Sequence, residues 1–255
     1  MPTTLKPQNL LVELFDLILI QLSNWRWSWR SMITTGTLAP VLSTLALAFF
    51  TRGQEGRTFA FILTGNLVLA LMFNNLTRVA NNFAFMRAYG MLSYFATLPV
   101  RGASLVLATV LAFFLLSLPS VFATLGLGVI ILKLSLQVHP LVVVALPLAA
   151  IPLAGLGALI GASLRTPEEA ASLSLLLTYV MLGLGPVLVP PESLPRFLVT
   201  LGYLSPATYA ASALRQVLLG PVTGRILLDL AVLTGISLVI LWLVERKMAW
   251  RQSQT

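Results

Sequence analysis

Apolar residues fall into six long blocks, about 32–50, 59–77, 103–131, 141–163, 170–189 and 225–244, separated by polar or proline-rich breaks. A helix needs roughly 20 mainly apolar residues to cross about 30 Å of hydrocarbon. The pattern predicts an all-α, polytopic membrane protein with six transmembrane helices in a single transmembrane domain over residues 1–255. The third block is long enough to tilt, or to bend at Pro119.

Ahead of the first block the period changes. Leu11, Leu14, Phe15, Ile18, Leu22, Trp25 and Trp29 recur at three- and four-residue steps, while Glu13, Asp16, Gln21, Arg26 and Arg30 fall elsewhere. That is one apolar face of a helix. The Trp25-Arg26-Trp27-Ser28-Trp29-Arg30 run suits the headgroup level, where indoles anchor and guanidiniums snorkel. Residues 5–30 are therefore expected as an amphipathic helix on the cytoplasmic surface. With Glu13 and Asp16 and no basic n-region, the stretch does not read as a cleavable signal.

Two breaks are long and oily. Arg78–Gly102 carries Phe83, Phe85, Met86, Tyr89, Met91, Leu92, Tyr94 and Phe95, which fit a short amphipathic helix ending before Leu98-Pro99, because the residue before proline avoids the helical region. Such a helix either packs on its own bundle or offers a surface to a partner, and the residues leave both open. Pro190–Gly224 is interrupted by Pro190, Pro191, Pro195, Gly202, Pro206, Gly220 and Pro221, yet keeps Leu194, Phe197, Leu201, Tyr203 and Tyr209. Short re-entrant helices before the last span, over about 190–220, satisfy both features.

Composition agrees with the pattern. Hydrophobic residues make up 58% of the chain and charged ones 9%, against roughly 25% charged in soluble domains. The net charge of +8 is scattered, without a Lys/Arg tract, so no nucleic-acid partner is implied. The cations act as topology signals instead. With the N-terminus inside, Lys6, Arg26, Arg30, Arg78, Arg87, Arg101, Arg165, Arg246, Lys247 and Arg251 lie inside, against Arg52, Arg57, Lys133, Arg196, Arg215 and Arg225 outside. Ten against six favours two cytoplasmic termini.

The chemistry for catalysis is missing, so an enzyme is not expected. His139 is the lone histidine and cysteine is absent, which leaves no metal set of the usual kind. Glu13, Asp16, Glu55, Glu168, Glu169, Glu192, Asp229 and Glu245 all fall outside the span centres, which disfavours a proton-driven carrier. Asp229, about one turn into the last span, has Arg225 as an i, i+4 partner. No Gly-Lys pair occurs, so no phosphate-binding loop is present. Of the polar residues at membrane depth, Asn66, Asn74 and Tyr179 are the first candidates for lining a route, although hydrogen-bond glue between helices is the commoner use of asparagine there.

The arrangement resembles the permease subunit of the ABC type-2 transporter family over nearly the whole chain. Leu194-Pro195, Tyr203-Leu204-Ser205-Pro206-Ala207-Thr208-Tyr209 and Ala213-Leu214-Arg215 are similar to strings that recur in that family between its fifth and sixth spans. Gly90 followed by Ala96-Thr97-Leu98-Pro99-Val100 is similar to the end of its first cytoplasmic loop. The resemblance implies that Asn82–Thr97, within the 80–99 connection, is a coupling helix docking on an ABC ATPase through Phe83, Met86, Arg87, Tyr89, Gly90, Leu92, Tyr94 and Phe95. It implies that Pro195, Pro206, Tyr209 and Arg215 belong to an external re-entrant motif. The run Met86-Arg87-Ala88-Tyr89-Gly90 departs from the family, which often has an acidic residue or an Arg-Glu pair there. Further implications are a second permease copy, ATP and Mg on the partner ATPase with no cofactor on this chain, and export by alternating access. The cargo class would be a hydrophobic small molecule, drug, lipid or glycan, and the location a prokaryotic inner or plasma membrane. A stand-alone secondary carrier or channel is the competing expectation.

Overall fold

A computed structural model describes residues 10–23, 34–51, 57–98 and 100–247. They form helices α1 (Leu10–Ser23), α2 (Ala39–Phe50), α3 (Arg57–Leu71), α4 (Arg78–Ala88), α5 (Met91–Thr97) and α6 (Gly102–Leu132). After these come α7 (Val142–Ser163), α8 (Pro167–Gly183), α9 (Arg196–Gly202), α10 (Pro206–Leu219) and α11 (Arg225–Lys247). No strand occurs among the described residues.

Among the described residues, four helices are long and apolar enough to cross a membrane: Arg57–Ala88, α6, α7 and α11. The bent pair α9 and α10, turned by 89°, is either a broken span or a re-entrant loop. The six expected blocks therefore appear as four helices of full spanning length. The block at 170–189 becomes a 17-residue helix, about 26 Å long, because Gly185 with φ 91° and Pro186 end it early. Its start moves back to Pro167, where Thr166 accepts the N–H of Glu169 and the Glu169 carboxylate accepts the N–H of Arg165, a near relative of the capping box. The block at 32–50 is described from Thr34, as a wide π-helical turn to Leu38 followed by α2.

The second block is longer than its hydropathy suggests. α3 runs through a π-helical stretch, Met72–Thr77, into α4 without a break, so residues 82–88 belong to the spanning helix. The expected separate helix over 82–97 is thereby corrected: only Met91–Thr97 stands apart. Burial explains the difference, since every residue from Phe61 to Leu76 is covered by protein, and a helix enclosed in this way needs no lipid-matched length.

α1 also departs from expectation. Its protein-facing side is Glu13, Leu17 and Gln21, while Leu11, Phe15 and Leu19 are exposed. The polar residues look inward because they have partners there: the backbone N–H of Arg101 donates to Glu13 (2.7 Å) and Gln21 donates to Thr109 (3.1 Å). Both contacts join residues 88 positions apart, so α1 runs parallel to the start of α6 rather than lying free on a surface. Residues 24–30, with the tryptophan-arginine run, lie outside the described residues.

The centre of the bundle is α7 against α4 and the π stretch. A Cβ on Gly157 would stand 2.3 Å from the Leu76 carbonyl oxygen, and one on Gly161 would stand 2.3 Å from that of Ala80. Small residues let membrane helices approach until their backbones touch. Gly161→Ala should accordingly cost about 1–3 kcal/mol through overpacking, read as a lower thermal midpoint in detergent. Gly126→Ala, where an added methyl meets nothing within 4 Å, should leave the midpoint within the spread of neutral substitutions; equal losses in both would contradict the packing assigned to Gly161.

Candidate functional site

One end of the bundle is organised by Gly90. α4 ends at Ala88, Tyr89 caps it, and Gly90 adopts φ 71°, ψ 7°. That left-handed geometry is strained for residues with a Cβ, and open space around Gly90 shows that conformation, not crowding, requires glycine. The turn aims α5 away from α4 until Leu98 goes extended (ψ 153°) ahead of Pro99.

The aromatic residues of this connection divide into two sets. Phe83 and Met86 are buried in a cluster with Leu17, Leu105, Val106, Ile240 and Val244. Met91, Leu92 and Phe95 pack half-buried on the same cluster. Phe85, Tyr89 and Tyr94 stay outside, the last two 69% and 64% exposed, and the Phe85 and Tyr89 rings lie 4.2 Å apart. Arg87 Nη1 donates to the carbonyl of Ala162 at 2.6 Å, which satisfies one of the orphan acceptors at the end of α7. The inner face of the connection thus anchors it to the bundle, and its outer face is an exposed aromatic ledge.

The three expected route residues separate as well. Asn66 and Asn74 are 0% exposed, and their Nδ2 groups donate to Ile62 and Ala70 one turn back, each at 2.9 Å. Asn74 is also covered by Gly36, where an added Cβ would fall 2.5 Å from its amide. Tyr179 is 58% exposed and lines a cavity of about 450 Å³ with Ser43, Leu69, Phe73, Leu182 and Leu188. The structure brings Tyr179 to open space and withholds both asparagines from it.

At the opposite end, Pro195 and Pro206 stand at the starts of α9 and α10, where a missing N–H costs nothing. Tyr209 donates its hydroxyl to the Tyr203 carbonyl (2.9 Å), closing the bend. Gly185 and Gly202 meet there so closely that a Cβ on either would come within 2.7 Å of the other's Cα. Arg215 stacks its guanidinium 3.4 Å above the centre of the Phe61 ring. Sequence reasoning missed this pair and the network below it: Ser212 and Gln216 donate to the buried Asp229 carboxylate at 2.6 and 3.0 Å, while Arg225 stands 3.9 Å from it. The i, i+4 spacing of Arg225 and Asp229 was visible; the two α10 partners are set by tertiary packing and gave no signal.

Against this geometry, the profile of the ABC-2 type transporter family matches residues 17–219. The chain belongs to the ABC-2 type transporter family. The match takes in the Gly90 turn, the Tyr179 cavity and the Pro195–Arg215 segment together. A search among curated proteins finds no match. This ABC-2 protein is a membrane transport permease, and its all-helical, apolar fold is that of a membrane-embedded chain. Among the described residues there is no cluster of three or more His, Cys, Asp or Glu that could hold a metal.

The burial of Asn74 and the exposure of Tyr179 separate two roles by experiment. Asn74→Leu should lower the thermal midpoint while leaving transport per folded molecule unchanged. Tyr179→Trp should leave the midpoint in place and change the transport rate, measured in proteoliposomes at equal folded protein. A transport defect in the folded Asn74 variant would place that residue on the route instead.

Proposed function

We propose that this ABC-2 permease is the membrane-spanning subunit of an ATP-driven exporter, working as a pair of permease copies on a pair of separate ABC ATPase subunits. The observation that carries the reading is the aromatic ledge at the Gly90 turn. Phe85, Tyr89 and Tyr94 are exposed on a helix pair whose other face is locked into the core by Phe83 and Met86. An apolar, partly aromatic surface held on a rigid mount is what a partner needs in order to push on a bundle.

The mechanism follows from the mount. Arg57–Ala88 is one continuous 32-residue helix, about 48 Å long, with the ledge at one end and Phe61 under Arg215 at the other. ATP and Mg, bound to the ATPases, bring those subunits together; the ledges move with them, and the long helix carries the displacement to the far end. There α9 and α10 close the outer mouth as re-entrant helices, and their displacement lets cargo leave. In this reading α2 and α8 complete six crossings, with α1 packed along the inner end of α6. The termini and the Gly90 ledge face the cytoplasm of a prokaryotic cell. The apolar wall of the cavity beside Tyr179, with Leu69, Phe73 and Leu188, suits a hydrophobic small molecule or drug, a lipid or a glycan as cargo.

A charge on the ledge should uncouple the machine. Tyr94→Glu in the reconstituted complex should lower ATP-dependent transport about tenfold or more, because a buried unpaired carboxylate at an interface costs several kcal/mol. The same variant should insert and fold normally, since Tyr94 touches little of its own chain. Full coupling in that variant would remove the ledge as the ATPase contact and return the stand-alone carrier to first place.

A further inference from the structure

The end of the bundle opposite Gly90 holds a cavity of about 600 Å³ whose charged lining residues are all arginines: Arg57 from the start of α3, Arg215 from α10 and Arg225 from the start of α11. Phe61, Tyr203 and Thr208 share the wall. Two of the cations have carboxylate neighbours among the described residues. Arg57 pairs with Glu192 at 2.9 Å on the rim, both side chains well exposed, and Arg225 stands 3.9 Å from Asp229. Neither acid lines the cavity. Asp229 is withdrawn beneath the wall, where one oxygen is taken up by Ser212 and Gln216.

Among the described residues Arg215 makes no ion pair of its own: Asp229 acts on its charge only from beyond ion-pair distance. Its contacts are the Phe61 ring, at 3.4 Å, and a long hydrogen bond of 3.4 Å to the Val187 carbonyl. Its Nε is buried without a partner, and so is Oγ1 of Thr208. A guanidinium carries five N–H donors in a fixed fork suited to phosphate or carboxylate, and a buried donor without an acceptor costs stability unless a ligand supplies one. The wall itself carries three guanidiniums and no carboxylate, with Glu192 on the rim and Asp229 beneath. That positive wall suits an anion whose charge is shared over several oxygens. A phosphodiester fits, and the apolar wall provided by Phe61, Leu134 and Val199 fits the organic arms on either side of it.

From this geometry we infer that the cavity is a binding site for a phosphodiester, with Arg215 as the principal contact and Arg225 and Thr208 supporting it. The group could be presented by a lipid headgroup entering from the bilayer or by a soluble molecule, and the chemistry of recognition is shared. The inference does not depend on the ATPase reading, because the site lies wholly within one permease chain at the end remote from the ledge.

The test uses the full permease alone. In nanodiscs of mixed phosphatidylglycerol and phosphatidylcholine, whose headgroups both carry a phosphodiester, native mass spectrometry should find one phospholipid retained per chain. In dodecyl maltoside micelles, which contain no phosphate, titration of the delipidated permease with dimethyl phosphate reads the soluble source. Retention with no dimethyl phosphate binding assigns the site to a lipid headgroup; binding of dimethyl phosphate assigns it to a soluble phosphodiester as well. In either case Arg215→Gln should weaken binding about tenfold or more, the loss expected for a charge-assisted hydrogen bond. Arg225→Gln, on the half-exposed neighbour of Asp229, should weaken it less but measurably. Arg196→Gln removes the same charge from the start of α9 without touching the cavity and should change nothing. Absence of binding from both sources would overturn the inference, and so would equal weakening by Arg196→Gln and Arg225→Gln, which would mean diffuse surface charge rather than a site.

Discussion

Backbone contact between α7 and the long second helix is the constraint from which the remaining structure follows. Gly157 and Gly161 touch the carbonyl oxygens of Leu76 and Ala80, so the two axes approach as closely as helices can. In lipid the hydrophobic effect does not distinguish protein from acyl chains, and packing must supply the attraction. Once α7 is seated, the helix Arg57–Ala88 is enclosed along most of its length. Its ends then fix the positions of the Gly90 turn at one end and of Phe61 under Arg215 at the other. Arg87 reinforces the seat by donating to the Ala162 carbonyl at the end of α7.

The enclosure also explains the polar residues. Asn66, Asn74 and Asn75 donate back to carbonyls of their own helix, which satisfies their amide donors while each Oδ1 stays buried without a partner. The Met72–Thr77 stretch widens to a π-helical turn where Gly36 covers Asn74, a local departure of the kind that often marks functional regions of helices. On α1 the same logic reverses the usual orientation. Glu13 and Gln21 face inward because the N–H of Arg101 and the hydroxyl of Thr109 await them, and the apolar side is released to the surroundings.

Much of the fold was legible because its signals are local and large. The hydropathy blocks marked α6, α7 and α11 nearly to the residue, and the prolines and glycines of 190–221 announced the bent pair α9 and α10. Leu98-Pro99 bounded the end of α5 for a backbone reason that one sequence displays, whereas the break at Gly90 was not foreseen. Signals that depend on distant partners were silent. The reach of the second helix to Ala88 depends on α7 covering it, and the inward turn of Glu13 depends on a backbone group 88 residues away. The stacking of Arg215 on Phe61 joins residues that no periodicity relates. Among the site residues, the ledge was legible as an oily helix, but its division into anchoring Phe83 and exposed Tyr94 required the packing itself.

The account stands on the claim that the ledge is where an ATPase takes hold. The direct measurement replaces Tyr94 with a photo-crosslinking amino acid in the native host, irradiates whole cells, and identifies what the permease has captured by mass spectrometry. One captured polypeptide per permease, bearing a phosphate-binding loop, is the expected result. Crosslinks confined to lipid or to a second copy of this chain, with the permease expressed at its natural level, would contradict it.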